Sequence, residues 1–284
     1  MQFRDFIPPA LHRLLSRRSP EPLRQYDSFS EALAESDTYE AADIIELVLR
    51  KTEIYRDQLE ELSSTTVTNY QTLENLFVLS YVRPDQPLNI LELGGACGAT
   101  YFQLAHLLPQ RIASWRIVET PAMTARARQA FPDPALSFFD NVPEAIEKME
   151  RRDLLIAQGV LQYMPRPLDK FDELMALGFE HVYVSRTVTL ENKSAGEAPI
   201  VFNSRSNLSE HGPGPISPGF SDRQIMTTCT LVTSESLNSR IPDSYQQRFR
   251  FTESKSQPIA IGHRSLEIKS TGFLLAEKPR DPGV

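Results

Sequence analysis

Leu91-Glu92-Leu93-Gly94-Gly95-Ala96-Cys97-Gly98-Ala99-Thr100 is the stretch that decides the fold. An apolar run from Asn89 ends beside an acid, a turn of small residues follows, and a helical pattern opens at once through Tyr101, Leu104, Ala105 and Leu108. Small residues let a backbone pass close to a ligand, and a helix start offers N–H groups without intrahelical partners. Downstream the rhythm repeats. Trp115–Glu119 reads as a second strand, Thr120-Pro121 as a helix start, and Leu136–Phe139 as a third strand. Asn141 and Glu144 resemble a capping box at the next helix. Asp153–Ala157 is a fourth strand, Leu168–Leu177 a helix stopped at Gly178, and His181–Val184 a fifth strand. Such alternation predicts an α/β, doubly wound, mostly parallel sheet covered by helices on both faces.

Upstream, 1–87 reads as an N-terminal helical extension. Ile44, Val48, Tyr55, Leu59 and Leu62 share one helix face, and Leu73, Leu76, Phe77 and Tyr81 form a second run that stops at Arg83-Pro84. Residues 88–284 read as the α/β domain. Within it, 191–220 is rich in Gly, Pro, Ser and Asn and is expected to be a lid or acceptor loop. Ser221 and Gln224 suggest a short capped helix through Ile225 and Met226, and strands are expected at Tyr245–Phe251 and Gly272–Glu277.

Composition narrows the function. The 284 residues carry a net charge of −7, which disfavours nucleic acid as a partner. No apolar run approaches the ~18–20 residues that span a bilayer. The first 20 residues, with Arg13, Arg17 and Arg18 beside Leu11, Leu14 and Leu15, read as a basic tail or a weak peripheral membrane contact. Cys97 and Cys229 form no CxxC pair and the five histidines are scattered, so no metal site and a cytoplasmic setting are expected.

Four groups carry the candidate chemistry. The first is the turn itself. The second is Glu119, 27 residues past Glu92, either a solvated strand-end acid or a carboxylate for the two hydroxyls of a ribose. In the third, Phe138-Phe139-Asp140-Asn141, Asp140 either faces a purine or helps start a helix. The fourth is Gln158–Pro165 after the fourth strand. There Gln158 could bind the amino-acid end of a cofactor or face an acceptor, and Tyr163 could wall a cleft or simply pack.

Glu92-x-Gly94-x-Ala96-x-Gly98 resembles motif I (E/D-x-G-x-G-x-G) of class I S-adenosylmethionine-dependent methyltransferases. The resemblance implies a Rossmann-like sheet of the seven-strand methyltransferase type, its last strand antiparallel. It also implies S-adenosyl-L-methionine as cofactor, held by Glu92, Gly94, Gly95, Ala96, Gly98, Glu119, Asp140 and Gln158. The wording around Leu-Glu-Leu-Gly-Gly-Ala-Cys-Gly-Ala-Thr, Val-Glu-Thr-Pro and Gly-Val-Leu-Gln-Tyr is similar to a bacterial methyltransferase group that accompanies surface-polysaccharide and other glycan biosynthesis genes. That group has a helical segment like Tyr39–Leu62 and an Arg after strand five, which Arg186 matches. The likeness covers about 30–190 and fades beyond. One departure is Ala96, where the motif has glycine: alanine resists positive φ.

The resemblance implies methyl transfer to a small-molecule or glycan acceptor, at a hydroxyl. His211 is the candidate base, Arg186 the group for an anionic acceptor such as a phosphate or uronate, and Tyr163 a third member of the catalytic set. A catalytically inactive binding protein of the same fold is the alternative. A nicotinamide-dependent oxidoreductase ranks third, because Ala96 and Cys97 stand where G-x-G-x-x-G needs its second glycine and the acid lies beyond the usual ~20 residues. The exposed faces of the N-terminal helices leave room for a homodimer.

Overall fold

The computed structural model describes residues 22–61, 70–147, 149–191 and 197–279. The basic N-terminal tail, Leu62 of the first helical stripe, and residues 192–196 of the expected lid lie outside them. The described chain begins with β1 (Gln25–Tyr26) and α1 (Phe29–Ala34), whose start Ser28 caps by accepting the Glu31 N–H at 3.2 Å. Next come α2 (Ala42–Glu61) and α3 (Tyr70–Tyr81). The alternating stretch then runs β2 (Leu88–Leu93), α4 (Ala99–Leu107), β3 (Ile112–Val118), α5 (Pro121–Ala130), β4 (Leu136–Phe139), α6 (Val142–Glu147), β5 (Leu154–Gln158), α7 (Pro167–Met175) and β6 (His181–Leu190). The remainder forms β7 (Ile200–Asn207), β8 (Gln224–Leu231), α8 (Ser234–Asn238), β9 (Tyr245–Thr252), β10 (Gln257–Ile261) and β11 (Arg264–Glu277).

The main sheet has the order β10-β11-β6-β5-β2-β3-β4, with β9 also paired to β11. β6, β5, β2, β3 and β4 are parallel, and β11 runs antiparallel to β6. This is a mixed α/β fold with a central parallel sheet and an antiparallel last strand, as the alternation and the motif led one to expect. Period-two patterning builds the layers. Ile90, Leu154 and Ile156 join Ile44, Leu47, Val78, Leu79 and Leu104 in one core, while Leu91, Leu155 and Ala157 join Phe171, Leu174 and Met175 in the other. The N-terminal helices therefore share the core of the sheet.

The structure corrects several expectations. The 1–87 segment is not wholly helical, because β1 pairs with β7. Ile200–Asn207, expected in a loop, is a strand, and Gln224–Leu231, where a short helix was expected, is its antiparallel neighbour. β1, β7 and β8 make a second, three-stranded sheet. Its Ile200, Phe202, Cys229 and Leu231 pack on Val188, Leu190, Ile261 and Ile268, where β6, β10 and β11 continue beyond the parallel core. β6 thus extends well past Val184, and Arg186 lies inside it. α3 also turns its faces unexpectedly: Leu73 and Phe77 are 47% and 41% exposed, while Thr72, Glu74 and Asn75 are buried.

Candidate functional site

Sequence order places the site. β2, β3, β4 and β5 end side by side, and each is followed by a residue singled out above: Gly94 after β2, Glu119 after β3, Asp140 after β4, and Gln158 closing β5. In open α/β sheets this carboxyl edge is where ligands bind. The bend after β2 is tight. Gly94 has φ +74°, and a Cβ there would stand 2.7 Å from Val160 Cγ2. Gly98, at φ +85°, forms the N-cap of α4. Ala96 adopts φ +48°, the left-handed conformation in which the motif's glycine is at ease. The turn keeps its shape at the cost of local strain.

Two carboxyl groups close on this bend. Glu92 is buried, and its Oε2 accepts the Trp115 indole N–H at 2.8 Å. Glu92 also lies against Gly95, where an added Cβ would stand 2.6 Å from the same oxygen. Burial pushes the Glu92 carboxyl up to about 7; the Trp115 hydrogen bond opposes this and the Glu119 charge adds to it. Glu119 is half-buried. Its Oε1 accepts the Ala96 N–H and its Oε2 the Thr120 N–H, each at 3.0 Å. Burial raises its pKa against those two hydrogen bonds. A carboxylate oxygen holding one N–H retains a lone pair for a further donor.

A cavity of about 400 Å³ opens at the bend, which falls within the range of roughly 300–1,000 Å³ for small-molecule sites. Gly94, Gly95, Ala96, Ala99 and Thr100 form one wall. Tyr55 from α2, Gln71, Thr72 and Asn75 from α3, and Gln103 from α4 form another. Gln158 and Arg186 line it from β5 and β6, and Glu92 lies at the bend. Glu210, Gly212, Pro213 and Gly214 close it from the loop after β7. Gln158 is 7% exposed, and its Nε2 donates to Asn75 Oδ1 at 2.8 Å and to Ser185 Oγ at 2.9 Å. Its Oε1 is buried without a hydrogen-bond partner.

The expected residues divide. Glu92, Gly94, Gly95, Ala96, Gln158 and Arg186 line the cavity, and Glu119, next to it rather than among its lining residues, accepts the Ala96 N–H of the turn. Gly98 shapes the turn. Asp140 stands at the same sheet edge, exposed, with Thr124 Oγ1 and Arg128 (3.2 Å) on its Oδ1. His211 is not brought into the cavity. It is 5% exposed, its Nε2 lies 3.0 Å from Ser206 Oγ, and burial, then the Lys51 and Arg223 charges, push its pKa down to about 4. Tyr163 packs edge-on to Tyr39 at 5.4 Å between ring centroids, beside the second sheet. Burial raises its pKa well above the usual tyrosine value.

The carboxamides Gln71, Asn75 and Gln103 went unread in the sequence. The signal that could have found them is the spacing of Gln71, Thr72 and Asn75, which share one polar face of α3 opposite its aromatic residues. The loop at 210–214 does border the cavity. It is pinned by Lys51, buried at 2% exposure, whose Nζ donates to the carbonyls of Ser209 (2.9 Å) and His211 (2.7 Å).

No family model matches the chain, and no curated protein matches it. Among solved structures it is similar to an S-adenosylmethionine-dependent methyltransferase from Clostridium acetobutylicum, at 10% identity and TM-score 0.47, covering 80% of this chain and 98% of that one. It is also similar to LepI in complex with S-adenosylmethionine (10%, TM-score 0.46), covering 96% of this chain and 63% of that one. A third is the magnesium protoporphyrin IX methyltransferase of Synechocystis PCC 6803 with bound S-adenosylmethionine (9%, TM-score 0.39), covering 83% and 97%.

The residues present fit an S-adenosylmethionine-type ligand on the geometry alone. The bend leaves a cavity at the carboxyl edge, and Gln158 turns an unpartnered buried oxygen on its wall.

Proposed function

We propose that this chain is an enzyme that transfers a methyl group from S-adenosyl-L-methionine to a small-molecule or glycan acceptor, at a hydroxyl. The observation that carries the reading is the convergence of Glu92 and Glu119 on one left-handed turn at the mouth of a cavity. Glu92, Gly94, Gly95, Ala96, Gly98, Glu119, Asp140 and Gln158 would hold the cofactor. When bound, it supplies a methyl group already activated by a sulfonium. The protein's part is then to align the acceptor and exclude water. The 94–96 bend is held by the Gly94 N–H on the Val118 carbonyl and the Ala96 N–H on Glu119 Oε1, Glu119 orients hydroxyl donors, and the 210–214 loop and α3 supply further parts of the cavity wall. Of the expected catalytic set, Arg186 is on the cavity wall and Tyr163 supports the second sheet. His211 is withdrawn, so Glu210 is the wall carboxyl outside the cofactor set that would receive a hydroxyl proton.

Isothermal titration with S-adenosylhomocysteine tests the reading. A saturable heat is expected, with affinity falling at least tenfold in Glu119→Ala; a folded chain that gives no heat overturns it. One observation favours a second reading, a binding protein that transfers nothing. His211, the expected base, is buried outside the cavity against Ser206 Oγ, and burial lowers its pKa to about 4, which makes it a weak proton acceptor. Ligand binding without transfer of a labelled methyl to any extract fraction would select it.

A further inference from the structure

Arg186 occupies an unusual place in β6. Thr187 pairs with Thr271 of β11 and Val184 with Phe273, so Ser185 and Arg186 together face the single residue Gly272. That is a β-bulge, a device that redirects a side chain. The bulged Arg186 has φ +52°, a conformation that strains any residue with a Cβ. Its cost is met by Glu253, just past β9 and 5% exposed. Both Glu253 oxygens accept the Arg186 N–H at 2.8 Å, and Oε2 also accepts from Ser270 Oγ at 2.7 Å. Only glycine leaves room for this carboxyl: a Cβ on Gly272 would stand 2.7 Å from Glu253 Oε1 and 2.9 Å from the Val184 carbonyl. Gln162 Nε2 holds the Arg186 carbonyl at 3.3 Å.

The aimed side chain is unfinished. Arg186 NH1 donates to Gln71 Oε1 at 2.9 Å, while its Nε is buried without a partner. Among the described residues no carboxylate lies within ion-pair distance of its guanidinium. A partly buried cation held only by a neutral amide is costly unless an anion completes it. Beside it on the cavity wall, Gln158 Oε1 lacks a donor.

We propose that Arg186, aimed by Glu253 across the β6 bulge, is a carboxylate-binding subsite of this cavity, and that Glu253 is its positioning residue. The proposal rests on the cavity being the ligand site described above. The guanidinium fork matches a carboxylate, and Gln158 Oε1 takes a neighbouring ammonium or hydroxyl donor. Two ligands could supply that chemistry: the amino-acid end of S-adenosylmethionine, or an acidic acceptor such as a uronate.

Isothermal titration of the full chain separates them. S-adenosylhomocysteine is compared with 5′-methylthioadenosine, which lacks the amino-acid end, and D-glucuronate with uncharged D-glucose, with and without saturating S-adenosylhomocysteine. In the wild type one carboxylate-bearing probe is expected to bind at least tenfold more tightly than its counterpart without the carboxylate. Arg186→Met and Glu253→Leu should erase that preference and leave the probe without the carboxylate within twofold. Glu253→Gln keeps an oxygen for the Arg186 N–H and should retain most of the preference. Loss confined to S-adenosylhomocysteine assigns the carboxylate to the cofactor; loss confined to glucuronate assigns it to the acceptor. Equal binding of probes with and without the carboxylate by the wild type, which needs no variant to fold, overturns the subsite. A preference lost in Arg186→Met but kept in a folded Glu253→Leu removes the positioning role. Failure of both nucleosides to bind, with glucuronate still preferred, counts against the proposed function and leaves the subsite standing.

Discussion

Ala96 shows how one methyl group can be read in a backbone. Its φ of +48° is a conformation that costs a residue with a Cβ roughly 1–2 kcal/mol. Replacing it by glycine removes that strain but adds unfolded-state entropy of roughly 0.4–1 kcal/mol. Ala96→Gly should therefore raise the thermal midpoint by a few degrees at most and leave S-adenosylhomocysteine affinity undiminished. A clear fall in the midpoint would mean the turn is not strained. His211 gives the opposite lesson. The sequence offered it as a base in an open loop, yet it is buried against Ser206 Oγ. His211→Ala should destabilise by about 1–3 kcal/mol, because a buried hydroxyl loses its partner, while nucleoside affinity stays unchanged. Chemical denaturation and titration of the same sample check both halves.

Among the elements, the loop after β7 is where stability and site meet. Lys51 reaches from α2 to two carbonyls of that loop, and Gly212 packs with its would-be Cβ 3.3 Å from Val48 Cα. Lys51→Met keeps the apolar stem and drops the donors. It should expose the amides of 209–214 to faster hydrogen exchange while the parallel strands stay protected. Exchange unchanged in that loop would show that packing alone holds it. The strand–helix alternation from β2 to β6 was legible because each element carries its own period and its own stop: Pro121 opens α5, and Gly178 with φ +67° follows α7. β7 and β8 were not. Ile200–Asn207 sits among turn-forming residues, and its ladder partners are Gln25, Tyr26 and the strand at Gln224–Leu231, far away in sequence.

Across the whole molecule, buried acids set the pH response. Burial pushes Glu74 and Glu92 up to about 7 and Glu253 up to about 8. A carboxyl raised in the fold binds a proton that the unfolded chain has released, so its contribution is full at low pH and lost as pH rises through the folded value. Burial lowers His181 and His211, the latter to about 4, which acts in the opposite sense up to the ordinary histidine value near 6.5. The two effects partly cancel below that value. From about pH 6.5 to 8 only the acids remain of these groups, and the thermal midpoint should fall. Glu253→Gln should flatten the upper part of that fall; an unchanged profile would mean that Glu253 is not the group titrating. At the opposite sheet edge Asp153, held by Asn89 and Arg151, is kept below its ordinary pKa despite its burial, so its contribution persists above that value and is lost in acid.

By itself, the sequence determined the layered parallel sheet, the bend after β2, and the acids that flank it. These depend on neighbours a few residues away: period-two strands, small residues in a turn, and a proline or glycine at each helix boundary. Only the tertiary structure decided which polar groups meet. α3 turned its carboxamides inward and left Leu73 and Phe77 half outside, His211 and Tyr163 went into packing, and Glu253 came beneath Arg186. Those choices follow from strand pairing and burial between segments distant in the chain, where the gain of satisfying a buried group outweighs any local preference.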